Sequence, residues 1–177
     1  MIIKNIGAWP VEMPLAEPYT IAYETVDKTV NVFLKIETNT GLTGFGCAAP
    51  DRMITGETVS SVLEAVDGII SQRLHNADPL RPSMIMENLK TQIGTYPSAL
   101  AMVDMALQDI LGKVAGIPLW KILGGFRSRI KTSITIGILP VQETVSLARD
   151  FKLKGFKSVK IKGGKDVQLD ILRIIKV

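Results

Sequence analysis

From residue 130 onward the chain alternates strand, helix, strand and helix with short connections, and this rhythm restricts the fold more than any other feature. Ser133 to Ile138 reads as a strand. Val141 to Lys154 reads as a helix with Val145, Ala148 and Phe151 along one face, closed by Gly155. Ser158 to Ile161 is a second strand, and Asp166 begins another helix. Two strands joined through a helix make a right-handed βαβ unit, so they are expected as parallel neighbours. The final residues, Ile174-Ile175-Lys176-Val177, carry no cap, glycine or polar tail. The expectation is a helix cut short and a sheet without its next strand.

The preceding residues follow a different pattern. Residues 2–13 predict a strand ending at Pro14. Val30, Val32, Leu34 and Ile36 alternate with Asn31, Phe33, Lys35 and Glu37, the period of a half-buried strand. Asn39-Thr40-Gly41 supplies a turn and Leu42 to Ala48 returns as its partner, giving a three-stranded antiparallel meander. Pro18 to Thr25 is expected as a long loop of the kind that often carries function. Helices follow. Val59, Val62, Leu63, Val66, Ile69 and Ile70 share a face, with Thr55 or Thr58 as N-cap. Pro82 opens a helix carrying Ile85, Leu89 and Ile93. Another begins near Pro97, buries Ala99, Val103, Ala106, Leu107, Ile110 and Val114, and stops at Gly116 before Pro118. Leu119 to Leu123 adds one short turn.

Composition narrows the possible functions. With 46% hydrophobic and 6% aromatic residues, the 177-residue chain reads as a soluble globular protein, long enough for one good core or two small ones. No apolar run suits a bilayer, and the start lacks the layout of a secretory signal. The single cysteine, Cys47, forms no internal disulfide, fits a reducing cytoplasm and reads as a small buried apolar residue. The single histidine, His75, lies in a polar stretch and excludes a multi-histidine metal site. A net charge of +4 is modest, and the basic residues between Lys152 and Lys165 have only Phe151 and Phe156 for stacking, which argues against a nucleic-acid partner. Gly163-Gly164-Lys165 is not a phosphate loop, because Asp166 and Val159 stand where such a loop needs Ser or Thr and Gly.

At the end of the second strand, Lys160 and Lys162 lie two apart and project to the same side. Two like charges held together disfavour their joint ionisation, so one lysine gives up its proton more readily and can serve as a general base. The alternative is a pair of solvent-exposed lysines protecting an edge strand. Tyr19 and Tyr23 either contact a ligand or pack the preceding loop down.

The order of these parts resembles the enolase superfamily, in its muconate-lactonising and mandelate-racemase-like branch. The resemblance covers essentially the whole chain. It rests on Gly44-Phe45-Gly46, Pro97-Ser98-Ala99 through Asp109, Gly116-Ile117-Pro118, Leu123-Gly124-Gly125, the Lys160-Ile161-Lys162 signature and Asp170 to Ile174. Ile54-Thr55-Gly56-Glu57-Thr58 after Ala49-Pro50 is closest to the dipeptide epimerases, including those acting on L-Ala-D/L-Glu. The resemblance implies an α+β capping domain over residues 1–129 and the first two units of an incomplete (β/α) TIM-type barrel over 130–177. It implies two loops closing over substrate, Pro18 to Val26 and Ala49 to Thr58. It also implies an isomerase that removes the proton α to a carboxylate, with Mg²⁺ stabilising the enediolate.

By position, the resemblance makes Lys162 the base. Lys160 lowers its pKa and helps to hold the substrate carboxylate. Thr135, Tyr19, Tyr23 and Ile54 become substrate contacts. The family's Mg²⁺ ligands and second catalytic lysine fall on later barrel strands, beyond residue 177, so the resemblance assigns no metal ligand here. It therefore implies that residues 1–177 are inactive alone; a homo-oligomer is the separate expectation for the full-length form. Cys47 departs from a common glutamate, and Glu24 stands where a basic substrate-binding residue is common in Ala-Glu epimerases. N-acylamino-acid racemase, o-succinylbenzoate synthase and muconate cycloisomerase fit the same lysine pair. A non-catalytic module docking through its open sheet edge is the reading from another class.

Overall fold

A computed structural model describes residues 1–22 and 24–177, which divide into two compact units. The first unit comprises Met1–Met13 with Val30–Gly125, and the second comprises Pro14–Thr29 with Phe126–Val177. Strands β1 (Ile3–Thr20), β2 (Thr25–Thr38) and β3 (Thr43–Ala48) form an antiparallel sheet in the order β1-β2-β3. In β2, Val32, Leu34, Ile36 and Thr38 are buried in strict alternation, as the period-two pattern requires.

Pro14 does not end β1, which continues to Thr20. The expected loop from Pro18 shrinks to a short connection in which the Ile21 N–H donates to the Glu24 carbonyl at 2.9 Å. The physical reason is the position of β1 at the sheet edge. Pro10, Pro14 and Pro18 share one parity, so their missing N–H donors fall on one side of the strand, where an edge strand has no partner.

In the first unit, α1 (Val59–Ala65) starts at Thr58, whose hydroxyl accepts from the Ser61 N–H while the Ser61 hydroxyl accepts from the Thr58 N–H. The helix does not run on smoothly as its apolar pattern predicts. Val66–Ile70 forms a π-turn in which Gly68 leaves helical geometry, and α2 (Ser71–Leu74) follows. Helix α3 (Pro82–Ile93) has Pro82 in its first turn and buries Ile85, Leu89 and Ile93. Helix α4 (Pro97–Ala115) ends at Gly116 in the left-handed conformation, φ +66°. Val114 does not join the core and is 42% exposed, while Met102 fills a core position. A short α5 (Leu119–Ile122) completes the set.

Gly44 and Gly46 explain how α4 packs on β3. A Cβ on Gly46 would lie 1.8 Å from the Met102 carbonyl oxygen, and one on Gly44 would lie 2.2 Å from that of Ala106. Only hydrogen fits between the strand and the helix backbone. The exposed edge of β3 is held by α4 side chains. The Asp109 carboxylate accepts from the Phe45 N–H at 3.0 Å, and Lys113 donates to the Thr43 carbonyl at 2.7 Å.

The second unit contains β4 (Ile134–Ile136), α6 (Val141–Leu153), β5 (Val159–Ile161) and α7 (Val167–Lys176). Strand β4 is shorter than its sequence span, and it pairs with β5 in parallel. On α6, Thr144 is buried, and Val145, Ala148 and Phe151 are half-buried. Among the described residues, no helix is long and apolar enough to cross a membrane.

Candidate active site

The parallel register sets Thr135 of β4 beside Lys160 of β5. Alternation separates them from Ile134, Ile136, Val159 and Ile161, which are half-buried or buried, whereas Thr135 and Lys160 are exposed. Lys162 lies one residue beyond β5, and its N–H donates to the Ile136 carbonyl at 2.9 Å. That bond continues the ladder and keeps the two lysines on one side of the strand. The end of β1 joins this region, because the Ile138 N–H donates to the Thr20 carbonyl at 2.9 Å.

A cavity of about 520 Å³ results, lined among others by Glu17, Pro18, Tyr19, Thr135, Lys160 and Lys162. Four of the residues expected at the site, Tyr19, Thr135, Lys160 and Lys162, therefore share one cavity. Ile54 belongs to the first unit and is 75% exposed. Its loop is fastened internally, since the Asp51 carboxylate accepts from the Met53 and Ile54 N–H groups at 2.8 and 3.0 Å. Tyr23 lies outside the described residues. His75 is exposed, and Cys47 is half-buried where full burial was expected.

The sequence pattern did not reveal two features of this unit. Glu17 lines the same cavity as the lysines. It belongs to β1 because the strand runs through Pro14 to Thr20. Arg173 is 5% exposed, donating from Nε to the Leu139 carbonyl at 2.6 Å and from Nη1 to Asp170 Oδ1 at 2.6 Å. The other Asp170 oxygen accepts from the Gly164 N–H at 2.7 Å. The visible sign of this network was an acid and a base three apart in one helix.

The residues present do not fit a magnesium ion. Among the described residues, no group of three or more His, Cys, Asp or Glu side chains could hold a metal. Asp170 is committed to Arg173 and Gly164, and Asp166 caps α7 by accepting from the Leu169 N–H at 3.0 Å. A hard divalent cation requires several oxygen donors that are free to converge on it.

Residues 5–124 match the mandelate racemase / muconate lactonizing enzyme N-terminal domain. The chain is 41% identical over its full length to the L-Lys-D/L-Arg epimerase of Desulforapulum autotrophicum, covering 50% of that protein. It is 37% identical over its full length to the L-Ala-D/L-Glu epimerase of Clostridium acetobutylicum, covering 49% of it. Among solved structures, the dipeptide epimerase of Methylococcus capsulatus, complexed with Mg and the dipeptide L-Arg-D-Lys, matches 99% of the chain. The TM-score is 0.90 at 35% identity, and the match covers 50% of that chain. The chain thus spans about half the length of the relatives it matches, and those relatives are epimerases and racemases. With its β-meander and helical section forming an N-terminal capping domain, the chain belongs to the mandelate racemase / muconate lactonizing enzyme family of the enolase superfamily.

Proposed function

We propose that the protein is a dipeptide epimerase in which Lys162 removes the proton from the carbon α to a carboxylate. The observation that carries this reading is the single cavity shared by Lys160, Lys162, Thr135 and Tyr19. The neutral Lys162 amine takes the proton, and the electron pair of the C–H bond passes into the substrate carboxylate. Lys160, as the ammonium, faces the negative charge that builds on those oxygens. Return of a proton to the opposite face of the carbon completes the inversion and needs a second acid. We assign neither that acid nor any Mg²⁺ ligand to residues 1–177. These residues by themselves are therefore expected to give no turnover, and steady turnover by mass-verified material of this length would overturn that expectation.

A cationic dipeptide is the substrate class we favour over L-Ala-L-Glu. Glu17 lines the cavity opposite in charge to the two lysines, which suits a ligand with a carboxylate at one end and a cation at the other. The similarity to the Desulforapulum autotrophicum L-Lys-D/L-Arg epimerase supports the same choice. Glu24, acidic where Ala-Glu epimerases commonly carry a basic residue, also agrees.

The test is α-proton exchange in deuterated water with the full-length protein. Lys162→Ala is expected to abolish exchange from one epimer and leave the circular dichroism spectrum unchanged. Unaltered exchange would remove Lys162 from the mechanism. L-Lys-L-Arg is expected to exchange at least about tenfold faster than L-Ala-L-Glu, a margin within reach of one charged contact. The reverse order would reject the cationic class.

A further inference from the structure

We infer that Asp170, held in place by Arg173, is a positioning residue for Lys162. This inference rests on the proposed role of Lys162 as the base. Immediately after Lys162 the chain leaves β5 through Gly163 and Gly164, and Asp170 grips that exit. A Cβ on Gly163 would lie 2.7 Å from Asp170 Oδ2 and 2.8 Å from its Cγ, so the carboxylate sits directly against the backbone. The Gly164 N–H donates to Oδ2 at 2.7 Å. The second oxygen, Oδ1, accepts from Arg173 Nη1 at 2.6 Å, which leaves Asp170 little freedom to swing away.

Arg173 also ties the exit of the neighbouring strand. Its Nε donates to the Leu139 carbonyl at 2.6 Å, three residues beyond the end of β4. One acid–base pair on α7 thus fastens the chain beyond β4, which carries Thr135, and beyond β5 and Lys162, which follows it. The Arg173 side chain is 6% exposed and that of Asp170 21%, so water competes weakly for these bonds. A buried guanidinium also has to be paired, and here the pairing serves the backbone that carries the base.

The lysine side chain has four rotatable bonds, so its amine can be aimed only if the backbone beneath it is fixed. On one side of Lys162 the ladder bond to Ile136 does this. On the other side it is Asp170. Neither Asp170 nor Arg173 lines the cavity, so their influence passes through the Lys162–Gly164 backbone. A shift of about 1 Å in a reacting group costs roughly a hundredfold in rate, which makes such an anchor consequential.

The experiment compares the full-length wild type with Asp170→Ala and Asp170→Asn by two readouts that do not require turnover. The first is hydrogen exchange at the Gly164 amide. The second is the pH profile of Lys162 acetylation by trace acetic anhydride, measured by mass spectrometry. In Asp170→Ala the Gly164 amide is expected to exchange at least about tenfold faster, from loss of one charge-assisted hydrogen bond. The Lys162 labelling profile is expected to move, while amides of β2 and α4 keep their protection. Asp170→Asn retains an acceptor for Gly164 and is expected to lie between the two.

A Lys162 profile in Asp170→Ala that superimposes on the wild type overturns the positioning role. If Asp170→Ala does not fold, Asp170→Asn and Arg173→Lys decide, and profiles matching the wild type in both overturn it equally. Failure of the base assignment is read separately, as persistent α-proton exchange in Lys162→Ala.

Discussion

Within residues 1–177 the first unit holds a continuous apolar core, whereas the second holds the lysine cavity and leaves apolar side chains at its surface. Every member of the buried apolar cluster, from Ile3 through Val32, Leu34 and Ile36 to Ile110, belongs to the first unit. In the second unit, Ile136 is the one fully buried hydrophobic side chain among the described residues, while Leu153, Val167, Ile174 and Ile175 are largely exposed. Each fully buried Leu or Ile contributes about 1.5–3 kcal/mol, so within residues 1–177 the apolar stabilisation is concentrated in the first unit. The residues that line the lysine cavity belong wholly to the second unit. Arg173, Asp170 and the Thr144 hydroxyl, which donates to the Pro140 carbonyl at 3.1 Å, hold the loops.

The sharpest way to break this contrast is Gly46→Ala. The added methyl carbon would lie 1.8 Å from a backbone oxygen of α4, where no flexible side-chain end can yield. We expect a loss of about 3 kcal/mol or more, the scale of severe overpacking. Urea unfolding followed by far-ultraviolet circular dichroism measures it. A loss below about 1 kcal/mol would mean that the strand and helix separate easily and that the first unit is not the rigid element.

Glu57 comes next. It is 1% exposed, and its carboxylate accepts from the Ser98 and Ala99 N–H groups at 2.8 and 3.0 Å. It thereby closes the N-terminus of α4, where neither Tyr96 nor Pro97 provides a side-chain cap. Glu57→Ala is expected to cost about 2–3 kcal/mol and Glu57→Gln about half of that, because the amide keeps one oxygen acceptor. Calorimetry on both variants tests this. Equal losses would show that charge at the helix end, and not bond count, sets the stabilisation.

In the second unit the same kind of change is expected to spare stability. Lys160 is exposed, and among the described residues its side chain makes no hydrogen bond or ion pair. Lys160→Met should shift stability by no more than about 0.5 kcal/mol, as for an ordinary surface site. On the proposed mechanism it should raise KM for a dipeptide by about tenfold, the loss of one charged contact to the carboxylate. Chemical denaturation of residues 1–177 and steady-state kinetics on the full-length protein separate the two effects. A large stability loss would show that the lysine pair helps to hold the unit together.

The same division explains what could be read from the residues alone. Alternation in β2, prolines at the starts of α3 and α4, and Gly116 after α4 are local signals, and each has a direct steric cause. The lysine pair was legible because strand geometry alone puts positions 160 and 162 on one side. Tertiary context decided the rest. Pro14 reads as a stop unless β1 is known to be an edge strand. Val114 fits the helical period, yet it falls in the last turn of α4, beyond the buried face. Glu57 and Asp170 look like surface acids, since nothing in their neighbours shows that a helix end or a glycine backbone will meet them.

The smallest effect concerns the sheet of the first unit. Glu37 in β2 meets Lys35 at 2.6 Å and accepts from Asn5 Nδ2 at 3.2 Å. The hydrogen bond from Lys35, then that from Asn5, then the Lys35 charge hold its carboxyl below the ordinary glutamate range. A carboxyl depressed in the folded state binds its proton less readily there than in the unfolded chain. Its contribution is therefore complete above the ordinary glutamate range and is lost as the pH falls through that range and the lower folded value. Solvent access and salt keep the contribution small. Glu37→Gln should lower the melting temperature slightly at neutral pH and converge with the wild type in acid, with the gap narrowing further in high salt. A constant gap at every pH would assign the difference to packing in β2 and not to charge, leaving burial as the main support of the first unit even at its rim.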